Sequence, residues 1–136
     1  LMGETKCNLA FGENITNADE FISLGQNSRL KYIQPDLTKY GGISLIKELS
    51  QTIQNNKIWI HFLGGGVGLL TSAHIMSALN PDAFLETDIN MNPLRTSLFE
   101  NELEIVDGKL HLEGCDGIGG PLNYDTIDKY LVSSNI

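Results

Sequence analysis

Apolar and polar positions along the chain alternate between two regimes. Four short apolar runs, each closed by polar or turn-forming residues, read as buried strands. They are Asn8–Phe11 before Gly12-Glu13-Asn14, Leu30–Ile33 before Gln34-Pro35-Asp36, Ile58–Ile60 before His61, and Ala83–Leu85 before Glu86. Helical patterns lie between them. Asn17 with Glu20 three residues on is a capping-box pattern ahead of Phe21, Ile22 and Leu24. Ser44 is placed to cap a helix whose Leu45, Ile46, Leu49 and Ile53 share one face. Leu69, Leu70, Ala73, Met76 and Ala78 form a third helical stripe, ended by Asn80-Pro81.

The order βαβαβαβ predicts a parallel sheet or barrel with helices outside. The residues closing the runs fall at positions 13, 36, 61 and 86, a recurrence of 23, 25 and 25 positions. Successive β/α units of a barrel produce such regularity, and would bring all four residues to one mouth. An open doubly wound sheet of four units is the other arrangement this spacing allows. After Glu86 the alternation stops. Asn92-Pro93 opens a short helix through Leu98, and Leu103–Val106, Asp107-Gly108 and Lys109–Leu112 predict a hairpin with a type I′ turn. A Gly-rich stretch from Gly114 to Gly120 then leads to a last amphipathic helix near Tyr124 to Val132.

Length and charge narrow the functional classes. At 136 residues one domain with a modest core is expected. Seventeen acidic against nine basic side chains, a formal net charge of -8, argue against a nucleic-acid partner, which needs a basic surface. No apolar run approaches the roughly 18–20 residues of a membrane span, so no membrane partner is expected. The start, Leu1 to Lys6, lacks the pattern of a signal peptide, and Leu1 is not an initiator Met. Cys7 and Cys115 are too few for a disulfide scaffold, which makes a reducing, cytoplasmic location the expectation.

In this frame the chain resembles the enolase superfamily, in its mandelate racemase-like branch. The matching stretches are Phe11-Gly12-Glu13-Asn14, Gln34 to Gly42, Ile60-His61, Ser72-Ala73-His74, Leu85-Glu86, Asn92 to Arg95, and Val106 to Leu110. Their order and spacing cover nearly the whole chain. The resemblance implies an α/β fold: the C-terminal half of a modified TIM (β/α)7β barrel, followed by a β-hairpin and terminal helix. Residues 1–136 would then be strands five to eight plus the C-terminal segment, without the capping domain and earlier strands. A whole barrel takes about 250 residues, roughly twice this length. Where the family usually has Pro-Gly-Leu-Gly near its end, this chain has Cys115-Asp116-Gly117-Ile118-Gly119.

The same resemblance implies roles. Glu13 would be the last of three acidic ligands to Mg²⁺, Asp36 and His61 a proton-handling dyad, and Glu86 a hydrogen-bond donor to the substrate oxygen that becomes an enolate. The two other metal ligands and a second-strand lysine base have no counterpart here. In the epimerase and lactonizing branch a lysine occupies the position of Asp36; here the nearest is Lys39. The implied reaction is Mg²⁺-dependent proton abstraction next to a carboxylate, with dehydration of a sugar acid or other hydroxy acid the leading form. An imidazole that titrates near neutrality suits either acid or base work there. One alternative is a racemase or epimerase on the same scaffold, with His61 opposite an upstream lysine. Another is a catalytically incomplete half-barrel serving as an assembly or binding module. The expected partners are a small carboxylate substrate and further copies of the chain.

Without the resemblance, a histidine after Ile-Trp-Ile is more often structural, and a glutamate such as Glu86 is more often a solvated loop charge. Other candidates stay structural. His74 sits on the apolar helical stripe, His111 alternates with Leu110 and Leu112, and Trp59 is expected in the core. Gly64 to Gly68 fits neither G-x-G-x-x-G nor a Walker loop; it reads as a loop that lets backbone approach the substrate, ahead of a helix N-terminus that favours anions. Asn90, Asn92 and Arg95 are placed to touch a polyhydroxylated acid.

Overall fold

The computed structural model describes residues 6–54, 57–101, 103, 105–112 and 117–132. Strand β1 (Leu9–Phe11) pairs in parallel with β2 (Leu30–Ile33), Leu9 opposite Leu30 and Phe11 opposite Ile33. The third apolar run lies along the far side of β2. Ile58 bridges to Ile33 in parallel, and Trp59 N–H donates to the Ile33 carbonyl at 2.9 Å. His61 N–H donates to the Pro35 carbonyl at 3.1 Å, which extends the alignment to the site.

The fourth run differs from expectation. Among the described residues Ala83–Leu85 joins no ladder; the Ala83 N–H instead turns back to the Asn80 carbonyl at 3.0 Å. The alternation survives without the ladder, because Ala83 and Leu85 pack against the core while Phe84 is 77% exposed. Side-chain period and strand pairing are separate requirements, and only the first is met here.

Helix α1 (Ala18–Gln26) begins where its sequence says: the Asn17 side chain accepts from the Asp19 and Glu20 N–H groups at 2.8 and 3.4 Å. Asp36 caps the single turn α2 (Leu37–Tyr40), and α3 (Gly42–Thr52) follows at once. This corrects the expected Ser44 cap. Gly41, at φ 109°, ends α2 and starts α3 in a left-handed conformation, so Ser44 lies exposed inside the helix. Helix α4 (Gly66–Leu79) is the most buried element; Ile75 joins its inward residues, and Ala78 is exposed. Its buried Thr71 and Ser72 hydroxyls are satisfied by the carbonyls four residues back, Val67 at 2.7 Å and Gly68 at 2.8 Å.

Asn92 caps α5 (Pro93–Thr96), with proline at the first helical position. Strands β3 (Ile105–Val106) and β4 (Lys109–Leu110) form the hairpin, and Asp107 and Gly108 take the positive φ values, 51° and 73°, of a type I′ turn. The last helix, α6 (Tyr124–Tyr130), stops short of Val132. Cys115 and Asp116 lie outside the described residues, as does Glu104 of the expected hairpin.

The core lies between the strands and helices α1, α3 and α4. Phe21, Leu30, Ile33, Ile46, Leu49, Ile58, Ile60 and Met76 are all buried there. Fully burying such side chains contributes roughly 1.5–3 kcal/mol each before the entropy of ordering them. Ile58 and Ile60 are buried in this core, and Trp59 between them packs against its edge. There Trp59 stacks on Tyr32, with ring centroids 3.8 Å apart, and meets Phe84 edge-on at 5.7 Å. Trp59 is therefore a half-buried member of the core's edge, where it also joins an aromatic row.

Candidate functional site

The aromatic row points directly to the polar cluster. Two residues beyond Tyr32, Trp59 and Phe84, on the same side of the chain by period-2 alternation, stand Gln34, His61 and Glu86. Glu13 enters from the loop after β1. Its carboxylate is 55% exposed, Glu86 is 34% exposed, and His61 only 10%.

His61 lies between the two glutamates. Its Nδ1 is 3.1 Å from both carboxylate oxygens of Glu86, and its Nε2 is 3.4 Å from Oε2 of Glu13. Gln34 Nε2 donates to Oε2 of Glu86 at 3.1 Å. On the other side Asn14 Nδ2 donates to Oε1 of Glu13 at 3.3 Å, and Lys39 Nζ donates to Asn14 Oδ1 and to the Glu13 carbonyl, both at 3.2 Å. A continuous polar chain thus runs Lys39, Asn14, Glu13, His61, Glu86, Gln34.

Asp36 stands apart from the imidazole. Its Oδ1 accepts from the Thr38 N–H at 2.8 Å and the Thr38 hydroxyl at 2.6 Å, and its Oδ2 pairs with Lys39 at 3.6 Å. The expected Asp36–His61 dyad is therefore replaced by a Glu86–His61 contact. The reason is local: Asp36 is the N-cap of α2, which turns its carboxylate toward the helix. Asp36 and His61 remain linked through backbone, by the bond to the Pro35 carbonyl. Three residues of the cluster, Glu13, His61 and Glu86, are among those the spacing singles out. Gln34, Asn14 and Lys39 are the additions, and Gln34 was signalled by its place two residues before Asp36 on one strand face.

The cluster offers Mg²⁺ one exposed carboxylate, Glu13, and a hard oxygen is what that ion takes. Among the described residues no group of three or more His, Cys, Asp or Glu is arranged to hold a metal.

The remaining candidates resolve into structure. His74 Nε2 meets the Ile118 carbonyl at 3.1 Å and ties α4 to the C-terminal segment. His111 is exposed. In the glycine run, a Cβ on Gly68 would lie 2.2 Å from the Phe62 ring, so close packing accounts for that residue. The N-terminus of α4 borders a cavity of about 470 Å³ walled mainly by Leu37, Phe62, Val67, Leu94 and Leu98. Arg95 is buried and faces inward, bonding the Asn90 carbonyl and lying 3.9 Å from Asp88, so it braces the loop after Glu86. A larger cavity of about 930 Å³ lies between α4, the 81–87 segment and the hairpin, away from His61. Among the described residues no helix is long and apolar enough to cross a membrane.

Parallel β/α units with an imidazole and carboxylates gathered where the strands end define an α/β protein. The chain belongs to the enolase C-terminal domain-like family, matched over residues 2–126, and within the superfamily it is mandelate racemase-like. It is similar to arabinonate dehydratase of Saccharolobus solfataricus, 25% identical over 117 residues, covering 85% of this chain and 31% of that protein. It is also similar to D-galactarolactone cycloisomerase of Agrobacterium fabrum, 29% identical over 108 residues, covering 72% of this chain and 29% of that protein. A crystal structure of a mandelate racemase/muconate lactonizing enzyme from Bordetella bronchiseptica RB50 superposes with a TM-score of 0.78 at 28% identity, over 94% of this chain and 37% of its own. The chain therefore spans about a third of the length of the relatives it matches.

Proposed function

We propose that these residues form strands five to eight and the C-terminal segment of a modified TIM barrel, within an enzyme that abstracts a proton next to a carboxylate. The reaction is dehydration of a sugar acid or other hydroxy acid: the proton leaves C2, the C3 hydroxyl takes up a proton and leaves as water, and the enol left behind tautomerises to a 2-keto-3-deoxy acid. The observation that carries this reading is the polar chain centred on His61, with Nδ1 at 3.1 Å from Glu86 and Nε2 at 3.4 Å from Glu13.

His61 is the proton-transfer group, as base at C2 or as acid toward the departing hydroxyl. Its low exposure limits movement of the ring, whose Nε2 is directed toward the exposed Glu13. Glu86 borders the same space and contacts the substrate oxygen on which charge develops. Asp36, held by Thr38 and Lys39, fixes the turn that carries Gln34 and Pro35. Glu13 supplies one oxygen ligand to Mg²⁺, and the other ligands and a second-strand lysine come from outside these residues. Bound there, Mg²⁺ supplies Lewis-acid stabilisation of negative charge on the substrate oxygens.

The relative named as a dehydratase supports this reading, and the one named as a cycloisomerase supports isomerisation on the same scaffold as the second. Incubating the full-length protein with Mg²⁺ and a panel of aldonic and aldaric acids in D₂O separates them. A 2-keto acid carrying deuterium at C3 supports dehydration. Exchange at C2 without a keto acid replaces it with racemisation, and neither product, with Mg²⁺ bound, overturns both.

A further inference from the structure

We propose that Arg95 is a positioning residue for Glu86: it fixes the Asp88–Asn90 turn just after the glutamate, in a stretch that no strand ladder holds. The brace is a matter of geometry; its effect on turnover rests on the function proposed above.

Gln34 and His61 are carried on paired backbone. Gln34 N–H donates to the Phe11 carbonyl at 2.9 Å, and His61 N–H to the Pro35 carbonyl at 3.1 Å. Glu86 has no such support. Among the described residues, no backbone-to-backbone hydrogen bond is made from 84 to 91. Before Glu86, Leu85 packs against the core; after it, the chain is held by side chains. Asp88 Oδ1 accepts from the Asn90 N–H at 2.9 Å and from Asn90 Nδ2 at 2.7 Å, which closes the turn. Arg95 Nη2 donates to the Asn90 carbonyl, and Nη1 lies 3.9 Å from Asp88 Oδ2. One planar guanidinium thus meets both ends of the turn, a task suited to its rigid fork of donors.

Arg95 is shut in by protein. Its side chain is 9% exposed, and Nη1 is buried with no hydrogen-bond partner. That enclosure takes Nη1 out of reach of a substrate, so Arg95 acts through the turn. The helix that carries it is itself well seated. Asn92 caps α5, and its Nδ2 donates to the Gly64 carbonyl at 3.5 Å. A Cβ on Gly65 would lie 3.3 Å from the Leu94 carbonyl oxygen, and one on Gly66 would lie 3.0 Å from that of Arg95. The glycine run therefore lets α5 rest backbone to backbone on the start of α4, the most buried helix. From that base the guanidinium reaches the segment that carries Glu86.

Two measurements on the full-length protein test this. In the first, the native protein meets a protease that cuts before bulky apolar residues, and the cuts are mapped by mass. Ile89 and Met91 are 97% and 98% exposed, so rigidity of the turn, not burial, is what protects them. The wild type should resist cleavage between 87 and 92. Arg95→Met, which keeps the apolar stem, should be cut there first. Wild-type cleavage there at the variant's rate overturns the proposal.

In the second, kcat is measured on a substrate found above. Arg95→Met should lower it roughly 10- to 100-fold with KM less changed, the scale of a misplaced catalytic group. In a Glu86→Gln background the same change should cost less than about threefold, because a residue that acts through another is not additive with it. Equal losses in the two backgrounds would mean that Arg95 acts on stability alone, and overturn the proposal. Asp88→Ala opens the turn from its other side and should reproduce both results, which keeps the test decisive if Arg95→Met does not fold. Protection lost with Arg95→Met in a protein that turns over no acid leaves the brace intact and overturns the functional reading instead.

Discussion

Nδ1 of His61 stands 3.1 Å from each carboxylate oxygen of Glu86, although 25 positions separate the two residues in the chain. Groups that act as one unit do not contribute independently. His61→Asn and Glu86→Gln should each lower kcat by at least about 100-fold, the range for a positioned acid–base group. The double variant should be no more than a few-fold worse than the more damaging single one. Losses that multiply in the double variant would show that the two residues work separately.

Glu13 is the one exposed carboxylate of the cluster and meets the solvent side of His61. In the full-length protein Glu13→Gln should weaken Mg²⁺ binding measured by calorimetry. These 136 residues alone should show no site of millimolar affinity or better, because a single carboxylate cannot supply the oxygen shell the ion requires. Millimolar or tighter binding by the chain alone would remove the need for outside ligands.

Burial, reinforced by the negative charge of Glu48, raises the Tyr40 phenol above its ordinary value of 10.0. The unfolded chain then loses this proton first as pH rises. The contribution of Tyr40 to stability is full below about pH 10 and is lost as pH climbs through the raised folded value. Urea unfolding between neutral and strongly alkaline pH should show a steeper decline for the wild type than for Tyr40→Phe. Parallel declines would mean that the phenol ionises equally in both states.

A Cβ on Gly68 would sit 2.2 Å from the ring of Phe62, against which α4 packs. Gly68→Ala should cost about 1–3 kcal/mol of stability through overpacking. Phe62→Leu in the same background should recover part of it, since the smaller side chain frees the space. A neutral Gly68→Ala in urea denaturation would show that the helix shifts without strain.

The parts of this fold legible in the sequence are those set by local chemistry. Asn17 before Phe21, Asn92 before Pro93, and Asp107-Gly108 each fix a helix start or a turn with atoms a few residues away. Ser44 misled because Gly41 can adopt a left-handed conformation, which restarts the helix before a conventional cap is reached. Ala83–Leu85 kept the alternation of a strand, but a ladder depends on a neighbour that the segment's own residues do not specify. The site follows the same division. Spacing gathered Glu13, His61 and Glu86 at one end of the strands, because side-chain period and unit length are properties of the chain itself. Which carboxylate meets the imidazole was not readable: Asp36 and Glu86 are equally plausible by position, and only the helix N-cap at Thr38 turns Asp36 away.

If His61 moves a proton next to a substrate carboxylate, that proton exchanges with solvent during turnover. The measurement is deuterium incorporation and keto-acid formation from aldonic and aldaric acids by the full-length protein in D₂O with Mg²⁺, beside its His61→Asn variant. The wild type should form a 2-keto-3-deoxy acid with deuterium at C3, and the variant should lose at least about 100-fold of that activity. Undiminished product from His61→Asn would contradict a proton-transfer role for His61.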